Sequence, residues 1–419
     1  MKLSNTSDFA EKKKARLPSK DWILLPIIGL FTVLLLAICT ELTAIWLYPV
    51  TQVGFDNCFV RDDPSGNAPV RPNGDCLERV VESRFPVEYK FNSHGDRAGM
   101  ELEPKQPGTY RIVMIGSSMA MGLFVPREMS FAALLPGELS QRTGHRVELY
   151  NEATGGKFRG GPFPTQSSAL RFKEILSAQP DMILWVITPM DIENASSESL
   201  ASRSPVSHEI FSANDRMPVR PTSVGETLKN ALVRGSLAER LRHLWEQSRT
   251  SLVLKHLLLA SESQDQYVNS YLKNEDDAGF LKISPSAKWQ YSLQVLQNDA
   301  AEFAKRADAA GVPFIAVLVP NRAQAAMISR GEWPDGYDPY KVGNVLRATI
   351  ESHGGTYIDI LPDLRPIPNP EQHYFPVDGH LDADGHAMIA RLLVRKLTSG
   401  TLPGLRAASQ PQAALAPGR

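Results

Sequence analysis

The chain has 419 residues, enough for one domain of ordinary to large size with additional segments. Its formal net charge of −1, with 22% charged residues, gives no indication of a nucleic-acid partner or an acidic one. The 42% hydrophobic content argues against wholesale disorder, and three cysteines are too few for a disulfide-built scaffold.

The N-terminal segment has the pattern of a membrane anchor preceded by a basic tail. Lysines and an arginine are frequent in residues 1–21, whereas residues 22–40 contain no charged side chain. Apolar character resumes after Glu41, so we predict a transmembrane anchor over residues 22–48. A cleaved signal peptide is the alternative, but the long basic region and the absence of a small-x-small cleavage site argue against it.

The charge distribution also predicts an orientation. Because the basic cluster precedes the anchor, the N-terminus should remain in the cytoplasm and the main domain should be periplasmic or extracellular. The expected location is therefore the bacterial inner membrane, with a single span. Cys58 and Cys76 follow in the membrane-proximal segment, residues 49–108, where an exported protein would pair them in a disulfide. Two free thiols are the alternative.

Within that segment, the sequence Val87–Arg97 alternates apolar and polar residues through Tyr89 and Phe91. The alternation predicts an edge strand, and the Asn-Ser-His-Gly that follows predicts a turn. Arg97 at its end is expected to make a structural salt bridge, with substrate binding as the alternative.

A buried-strand pattern ends in small hydroxyl residues at Gly116-Ser117-Ser118, and a helix-like apolar segment follows. A strand that stops at such residues before a helix leaves backbone N–H groups directed at one point. A serine there can lie beside ready-made oxyanion donors, as acyl transfer requires. A simple helix cap is the alternative role of such a serine.

The second chemical motif lies near the C-terminus, where Asp378 precedes His380 by two residues on a loop that enters the last predicted helix. An aspartate in this position can orient the imidazole while the other ring nitrogen faces a serine. His386, at the start of the helix, is expected to be a cap or a packed residue.

These two motifs resemble the Gly-Asp-Ser block and the closing Asp-His block of the SGNH (GDSL-like) hydrolases, and the Asn-Ser-x-Gly-x-Arg sequence that ends at Arg97 is similar to the lead-in of their membrane-anchored members. The resemblance implies a Ser118–His380–Asp378 triad, with Ser117 as the rival nucleophile. It further implies an oxyanion hole formed by the N–H of Ser118 and by a glycine after the next strand, Gly155 with Gly156 close behind.

The chain departs from the family pattern at the third oxyanion donor. Where the family has Asn in Gly-x-Asn-Asp, this sequence has Met190, whose thioether cannot donate a hydrogen bond. Either another donor such as Asn194 substitutes, or catalysis is slow or absent, since losing one donor costs on the order of 2.7–4 kcal/mol. Asp191 matches the following Asp and is a predicted substrate-binding residue. Ser117 replaces the Asp of Gly-Asp-Ser.

Five apolar strand patterns separated by helical ones predict an α/β fold with a three-layer, doubly wound parallel sheet. The flavodoxin-like strand order is implied by the resemblance. The predicted domain spans residues 109–398, and residues 399–419 form a tail of disordered composition. A mainly helical insertion over 195–285 is expected to pack on the domain, with a lid or a partner surface as the alternatives. Asn321 and Arg322 follow the fourth strand, where open sheets place ligands, and are predicted to bind substrate.

The resemblance and the predicted location together imply a membrane-anchored serine esterase that acts on acyl esters, acetyl above all, of an envelope glycan. An O-acyltransferase with the same triad is an alternative, as is a non-catalytic module that binds glycan or assembles a complex. The chemistry requires no cofactor or metal, and no motif indicates one.

Overall fold

The computed structural model describes residues 21–58, 70–83, 85–153, 172–193, 237–400 and 402–407. Gly155, Gly156 and Asn194, the first part of the predicted insertion and most of the predicted tail lie outside the described residues. The described part of the chain forms a long apolar helix, a small antiparallel sheet, an α/β domain and a helical segment that packs on it.

Helix α1 (Asp21–Leu47) carries the predicted anchor. Its stretch Trp22–Leu47 has 26 residues and a mean hydropathy of 2.7, so it is long and apolar enough to cross a membrane. After α1, strands β1 (Thr51–Val53), β2 (Asp75–Arg79) and β3 (Val87–Lys90) form an antiparallel sheet in the order β1-β2-β3. The predicted edge strand is therefore β3, at the edge of a sheet separate from the main one.

A disulfide joins the short helix α2 (Phe55–Cys58) to β2, the middle strand of this small sheet. Cys58 and Cys76 are bonded to each other with their Cα atoms 5.9 Å apart, and both are buried. The bond therefore links α2 to β2.

The main sheet has five parallel strands in the order β5-β4-β6-β7-β8. Its strands are β4 (Thr109–Gly116), β5 (Arg146–Asn151), β6 (Met182–Ile187), β7 (Phe314–Leu318) and β8 (Thr356–Ile358). The central strands β6 and β7 are buried at every position, which explains their continuous apolar runs. The chain adds β5 on one side of β4 and β6 on the other, so the flavodoxin-like order is confirmed and the switch point lies between β4 and β6.

Helices flank the sheet in two groups. Helices α3 (Ser118–Met121) and α4 (Phe131–Thr143) contact β4 and β5, and Phe172 of α5 (Phe172–Ser177) packs on Phe303. The segment Leu237–Ala278 forms α6 (Leu237–Gln247), α7 (Arg249–Ser261), α8 (Gln264–Leu272) and α9 (Glu275–Ala278). The domain continues with α10 (Ala287–Ala309), α11 (Arg322–Arg330), α12 (Lys341–Ser352) and α13 (Ala383–Leu397). Helix α13 packs on α4, whereas α10 packs on α12, and this completes the predicted α/β arrangement.

Candidate active site

Ser118 lies at the carboxyl end of the central strand β4, at the switch point of the sheet. Gly116 makes the sharp exit from the strand, with φ of +156°. A Cβ atom there would lie 2.6 Å from the Val186 carbonyl oxygen and 2.7 Å from the Ala120 Cβ, so only glycine allows β4, β6 and α3 to approach this closely. Ser118 then begins α3, where the first N–H groups of a helix have no intrahelical acceptor.

His380 and Asp378 face this serine from a tight loop between the sheet and α13. The His380 Nε2 atom lies 2.6 Å from Ser118 Oγ, and its Nδ1 atom is hydrogen-bonded to Asp378 Oδ1. The same carboxylate oxygen accepts the backbone N–H of His380 at 3.3 Å. The loop is closed by a hydrogen bond from the Phe375 N–H to the His380 carbonyl at 2.7 Å. The structure thus aligns the three residues in the order serine, imidazole, carboxylate.

The environment of His380 determines its protonation. Burial alone would lower the pKa of the imidazole, because a charged ring loses its hydration. The Asp378 carboxylate and its hydrogen bond outweigh burial, with smaller contributions from Glu78 and Glu82, so the pKa of His380 lies above its ordinary value. Nε2 therefore becomes an acceptor for the serine proton only above this raised pKa.

Glu82, in the turn between β2 and β3, holds the Asp378 loop in place. Its two carboxylate oxygens accept the backbone N–H groups of Val377 and Asp378, each at 2.8 Å. Glu82 Oε1 also pairs with His256 Nδ1 of α7 at 3.1 Å, and the glutamate side chain is 6% exposed. Sequence analysis missed this residue, because an isolated glutamate in a turn has no pattern that connects it to a loop 295 positions away.

Phe124 packs behind the imidazole. Its ring lies edge-on to His380 with the ring centroids 5.4 Å apart, and it also contacts Phe375. Its backbone has φ of +66°, a conformation that a bulky residue adopts only when its surroundings impose it. One such restraint is the Phe124 N–H, which donates to the buried hydroxyl of Tyr89 at 3.0 Å.

Arg97 fixes the segment that follows α3. Its guanidinium donates to the carbonyl oxygens of Met121, Gly122 and Val125 at 3.0, 2.6 and 2.9 Å and lies 4.5 Å from the centre of the Tyr89 ring. Burial lowers its pKa to about 10. Its role is structural, as expected, but its hydrogen-bond acceptors are backbone carbonyls instead of a carboxylate.

The predicted oxyanion hole lies only partly within the described residues. The Ser118 N–H lies at the start of α3, whereas Gly155, Gly156 and Asn194 lie outside the described residues. The Met190 side chain is 48% exposed, and its thioether offers no donor.

Asp191 is buried beneath the serine loop. Its Oδ2 atom accepts the N–H and hydroxyl of Thr188 at 2.7 and 2.9 Å, and the Ser117 hydroxyl also donates to this carboxylate. Burial raises the pKa of Asp191 to about 6, although the hydrogen bonds from Thr188 and Ser117 oppose the shift. Asp191 therefore braces the strand ends, and Ser117 is engaged with it instead of acting as a cap for α3.

Asn321 and Arg322, predicted to bind substrate, hold the helical segment against the domain. Asn321 caps α11 through the Gln324 N–H and donates to the Tyr271 hydroxyl at 2.9 Å. Arg322 donates to three backbone carbonyls, those of Glu371, Pro376 and Leu259, and stacks on the Tyr267 ring at 3.9 Å. In this structure both side chains are engaged in protein contacts at the strand end, and substrate binding by them stays a prediction.

Two further features bear on the site's chemistry. His386 is buried against Phe131, where its Nδ1 accepts the Phe131 N–H at 3.3 Å, and burial lowers its pKa to about 3, so it is a neutral packed residue as expected. Within the described residues, no group of three or more His, Cys, Asp or Glu side chains is arranged to hold a metal ion.

An open cleft of about 210 Å³ lies beside the triad, between the Asp378 loop and α7. Val81, Glu82, Leu252, Val377 and Asp378 line it. Of the three triad residues only Asp378 lines it, so the cleft adjoins the triad on the side of the carboxylate.

Comparisons with known proteins give no family assignment. No protein-family model matches the sequence, and no curated protein does. Two solved structures are similar in part. One is a candidate arylesterase from Agrobacterium tumefaciens str. C58, with 14% identity and a TM-score of 0.32, covering 68% of this chain and 96% of that chain. The other is a member of the lipolytic protein G-D-S-L family from Veillonella parvula DSM 2008, with 11% identity, a TM-score of 0.29 and coverage of 68% and 97%.

Proposed function

We propose that this chain is a membrane-anchored serine esterase of the SGNH type, which hydrolyses acyl esters, acetyl above all, of an envelope glycan outside the cytoplasm. The observation that carries the proposal is the 2.6 Å contact between Ser118 Oγ and His380 Nε2, with Asp378 on the opposite ring nitrogen. A nucleophile, a base and an orienting carboxylate in this order are the requirements for acyl transfer to a serine.

The chemistry follows from these positions. Ser118 Oγ forms a bond to the acyl carbon as His380 Nε2 takes the hydroxyl proton, and the Asp378 carboxylate stabilises the imidazolium. The carbonyl oxygen becomes an oxyanion near the Ser118 N–H and a glycine N–H after β5, for which Gly155 and Gly156 are the candidates. The ester C–O bond then breaks, and His380 returns the proton to the leaving alcohol. Water, deprotonated by His380, releases the acid and restores Ser118.

Two features support the location. The apolar stretch of α1 is long enough to cross a membrane, and the basic tail before it favours a cytoplasmic N-terminus. The buried Cys58–Cys76 disulfide is typical of an oxidising compartment. These features support a bacterial inner-membrane location with the domain outside, where it would meet envelope polysaccharide, peptidoglycan or lipid, and a short acyl ester on a glycan is the substrate we propose.

Transfer of the acyl group to a glycan hydroxyl is a second candidate. Ser118 and His380 are 7% and 4% exposed, so an acyl-enzyme at this serine would be sheltered from bulk water. An alcohol bound in the cleft beside Asp378 would then compete with water for the acyl carbon.

The test is acetate release from p-nitrophenyl acetate and from an O-acetylated polysaccharide by the full chain in nanodiscs. Ser118→Ala should reduce the rate by on the order of 10⁴-fold or more, because the nucleophile is lost. Ser117→Ala should retain most of the activity, because its hydroxyl only braces Asp191. Full activity of Ser118→Ala would contradict the proposal, and acetyl transfer to an added glycan would select the transferase.

A further inference from the structure

Glu41 connects the apolar helix α1 to α7, which lines the cleft beside Asp378. Its two carboxylate oxygens accept the backbone N–H groups of Arg249 and Thr250, at 2.7 and 2.9 Å. These are the first residues of α7, so Glu41 satisfies N–H groups that the helix itself leaves unpaired and places a negative charge at its positive end. The start of α7 is therefore fixed at the level of residue 41 of α1.

That level lies in the outer part of the apolar stretch Trp22–Leu47. A helix crosses the hydrocarbon core of a bilayer in about 20 residues, and a span that begins at Trp22 ends at Glu41. The rest of α1, to Leu47, extends about 9 Å further at about 1.5 Å per residue. The exposed Trp46 lies in this outer part, as is typical of residues at the membrane–water interface.

Helix α7 has two faces of different character. Leu252 and His256, one turn apart, face the site: Leu252 lines the cleft and His256 pairs with Glu82. Leu254, Leu257 and Leu258 point away, and they are 43%, 53% and 65% exposed. Trp245, just before the corner between α6 and α7, is 51% exposed. Apolar side chains grouped in this way on one helix mark an interaction surface.

We infer that the partner of this surface is the lipid bilayer itself. The leucine face of α7 and Trp245 lie in the outer interface of the membrane, as in other amphipathic helices that bind lipid surfaces. A bilayer is favoured over a protein partner because the start of α7 is attached, through Glu41, to the point where α1 leaves the hydrocarbon core. The inference rests on the membrane anchorage in the proposed function.

This placement has a consequence for the substrate. The thickness of one helix, about 10 Å, separates the lipid from the cleft that Leu252, on the opposite face of α7, lines together with Asp378. The site then acts on esters held at the membrane surface, whose acyl group reaches Ser118 while a lipid part stays in the bilayer.

The depth of α7 can be measured with spin labels. The full chain with Cys39→Ser is reconstituted in vesicles of phosphatidylethanolamine and phosphatidylglycerol and labelled at Leu257→Cys. A matched control is Glu351→Cys, an exposed position at the end of α12, which leads to the amino edge of the sheet on the side opposite the site. We expect the label at 257 to collide several-fold more with oxygen than with a water-soluble nickel complex, and the label at 351 to show the reverse.

Two results would overturn the inference. Equal access of the nickel complex to both labels would place α7 in water. Shielding of the label at 257 from both reagents would mean that protein covers it, either residues 194–236, a second copy or another partner.

An activity measurement separates this inference from the proposed function. The double variant Leu257→Glu with Leu258→Glu should lose about 10-fold in activity on an acyl ester of a lipid-linked sugar in the vesicles, because charges leave the interface. Its rate on soluble p-nitrophenyl acetate should not change, and equal losses on both substrates would contradict the inference. Absence of wild-type activity on either substrate would refute the esterase, while the spin-label depths would still decide the position of α7.

Discussion

Among the carboxylates that raise the pKa of His380, Asp378 and Glu82 act in different ways. Asp378 contacts the ring directly, whereas Glu82 binds the backbone N–H groups of the loop that carries Asp378 and adds a more distant negative charge. Both favour the protonated imidazole, so His380 begins to act as a base at a higher pH than an isolated histidine.

The variant Glu82→Gln tests this contribution. Loss of the charge should lower the pKa of His380, so the acidic limb of kcat/KM against pH moves to lower pH. The maximal rate should fall by about 10-fold, because an amide cannot accept both loop N–H groups. Glu302→Gln, an exposed glutamate on α10, is the control and should leave the profile in place. An unchanged profile in Glu82→Gln would show that Glu82 does not act on the imidazole.

Asp191 is a buried carboxyl group whose raised pKa makes the stability of the fold depend on pH. Its pKa is raised to about 6 by burial, whereas an unfolded aspartate titrates near 3.9. As pH rises, the unfolded chain loses this proton first, so the folded state binds more protons between about pH 4 and pH 6. The contribution of Asp191 to stability is therefore present below about pH 4 and is lost as pH rises through about 6.

Asp191→Asn removes this titration. The free energy of unfolding of the variant, minus that of the wild type, should increase by up to about 3 kcal/mol between about pH 4 and about pH 7. Urea denaturation of both proteins at the two pH values measures this difference in unfolding free energy. The titration of other groups, such as His386, contributes equally to both proteins and therefore cancels. A difference that is independent of pH would mean that Asp191 is ionised at both.

At the scale of elements, the exit from β4 determines where the nucleophile lies. Gly116 lets β6 and α3 approach closely enough for Ser118 to contact His380, which lies on the loop before α13. In Gly116→Ala the added Cβ would force these elements apart. We expect a loss of about 1–3 kcal/mol in stability and about 10²-fold in kcat, because a displacement of about 1 Å suffices for that loss.

Gly137→Ala is the matched control for this prediction. Gly137 lies within α4, and no atom lies within 4 Å of the position its Cβ would take. Alanine should leave activity unchanged and raise stability by about 1 kcal/mol, because it favours the helix. Thermal unfolding and steady-state kinetics measure both variants, and equal behaviour would exclude the steric argument.

The five strands of the main sheet were predictable because burial on both faces gives continuous apolar runs bounded by turns. The same holds for α10, α12 and α13, whose apolar residues recur with the helical period. The pairing of β1 and β2 was not predicted, since short strands such as Thr51–Val53 carry too few residues to show an alternation. The order of the strands came from the resemblance and not from the pattern.

The site was predictable to the extent that its residues share a local motif. Ser118, Asp378 and His380 each stand in a short recognisable sequence, and the structure brings them together. Glu82 and Phe124 belong to no motif, because their contacts are set by how the small sheet and the Asp378 loop pack. Asn321 and Arg322 lie at a strand end, as predicted, but residues of the helical segment have taken up their polar groups.

At the scale of the whole molecule, the small sheet lies between the apolar helix α1 and the candidate site in the chain and contacts the site. The sheet carries Tyr89, and the turn between β2 and β3 carries Glu82; these two residues restrain Phe124 and the Asp378 loop. The Cys58–Cys76 disulfide, with a sequence separation of 18, holds this sheet to α2. The small sheet, Phe124 and the Asp378 loop therefore form one continuous set of contacts.

Replacing both cysteines with serine tests this link. The variant should lose about 3 kcal/mol in stability, because the unfolded chain regains the freedom of the closed loop. Its activity should also fall, because the small sheet becomes less ordered. The control Cys39→Ser, at an exposed cysteine of α1, should change neither stability nor activity. Thermal unfolding with and without reductant measures the effect. Equal stability of the double variant and the wild type would contradict the role of the disulfide.

The central claim is that His380 and Asp378 activate Ser118 as a nucleophile. The most direct measurement is labelling of the full chain in nanodiscs by a fluorophosphonate, read by intact mass and peptide mapping. We predict one adduct on Ser118 that is absent in Ser118→Ala, present in Ser117→Ala and formed far more slowly in His380→Ala. A folded wild-type protein that forms no adduct, or an adduct on Ser117, would contradict the claim and favour a non-catalytic binding module.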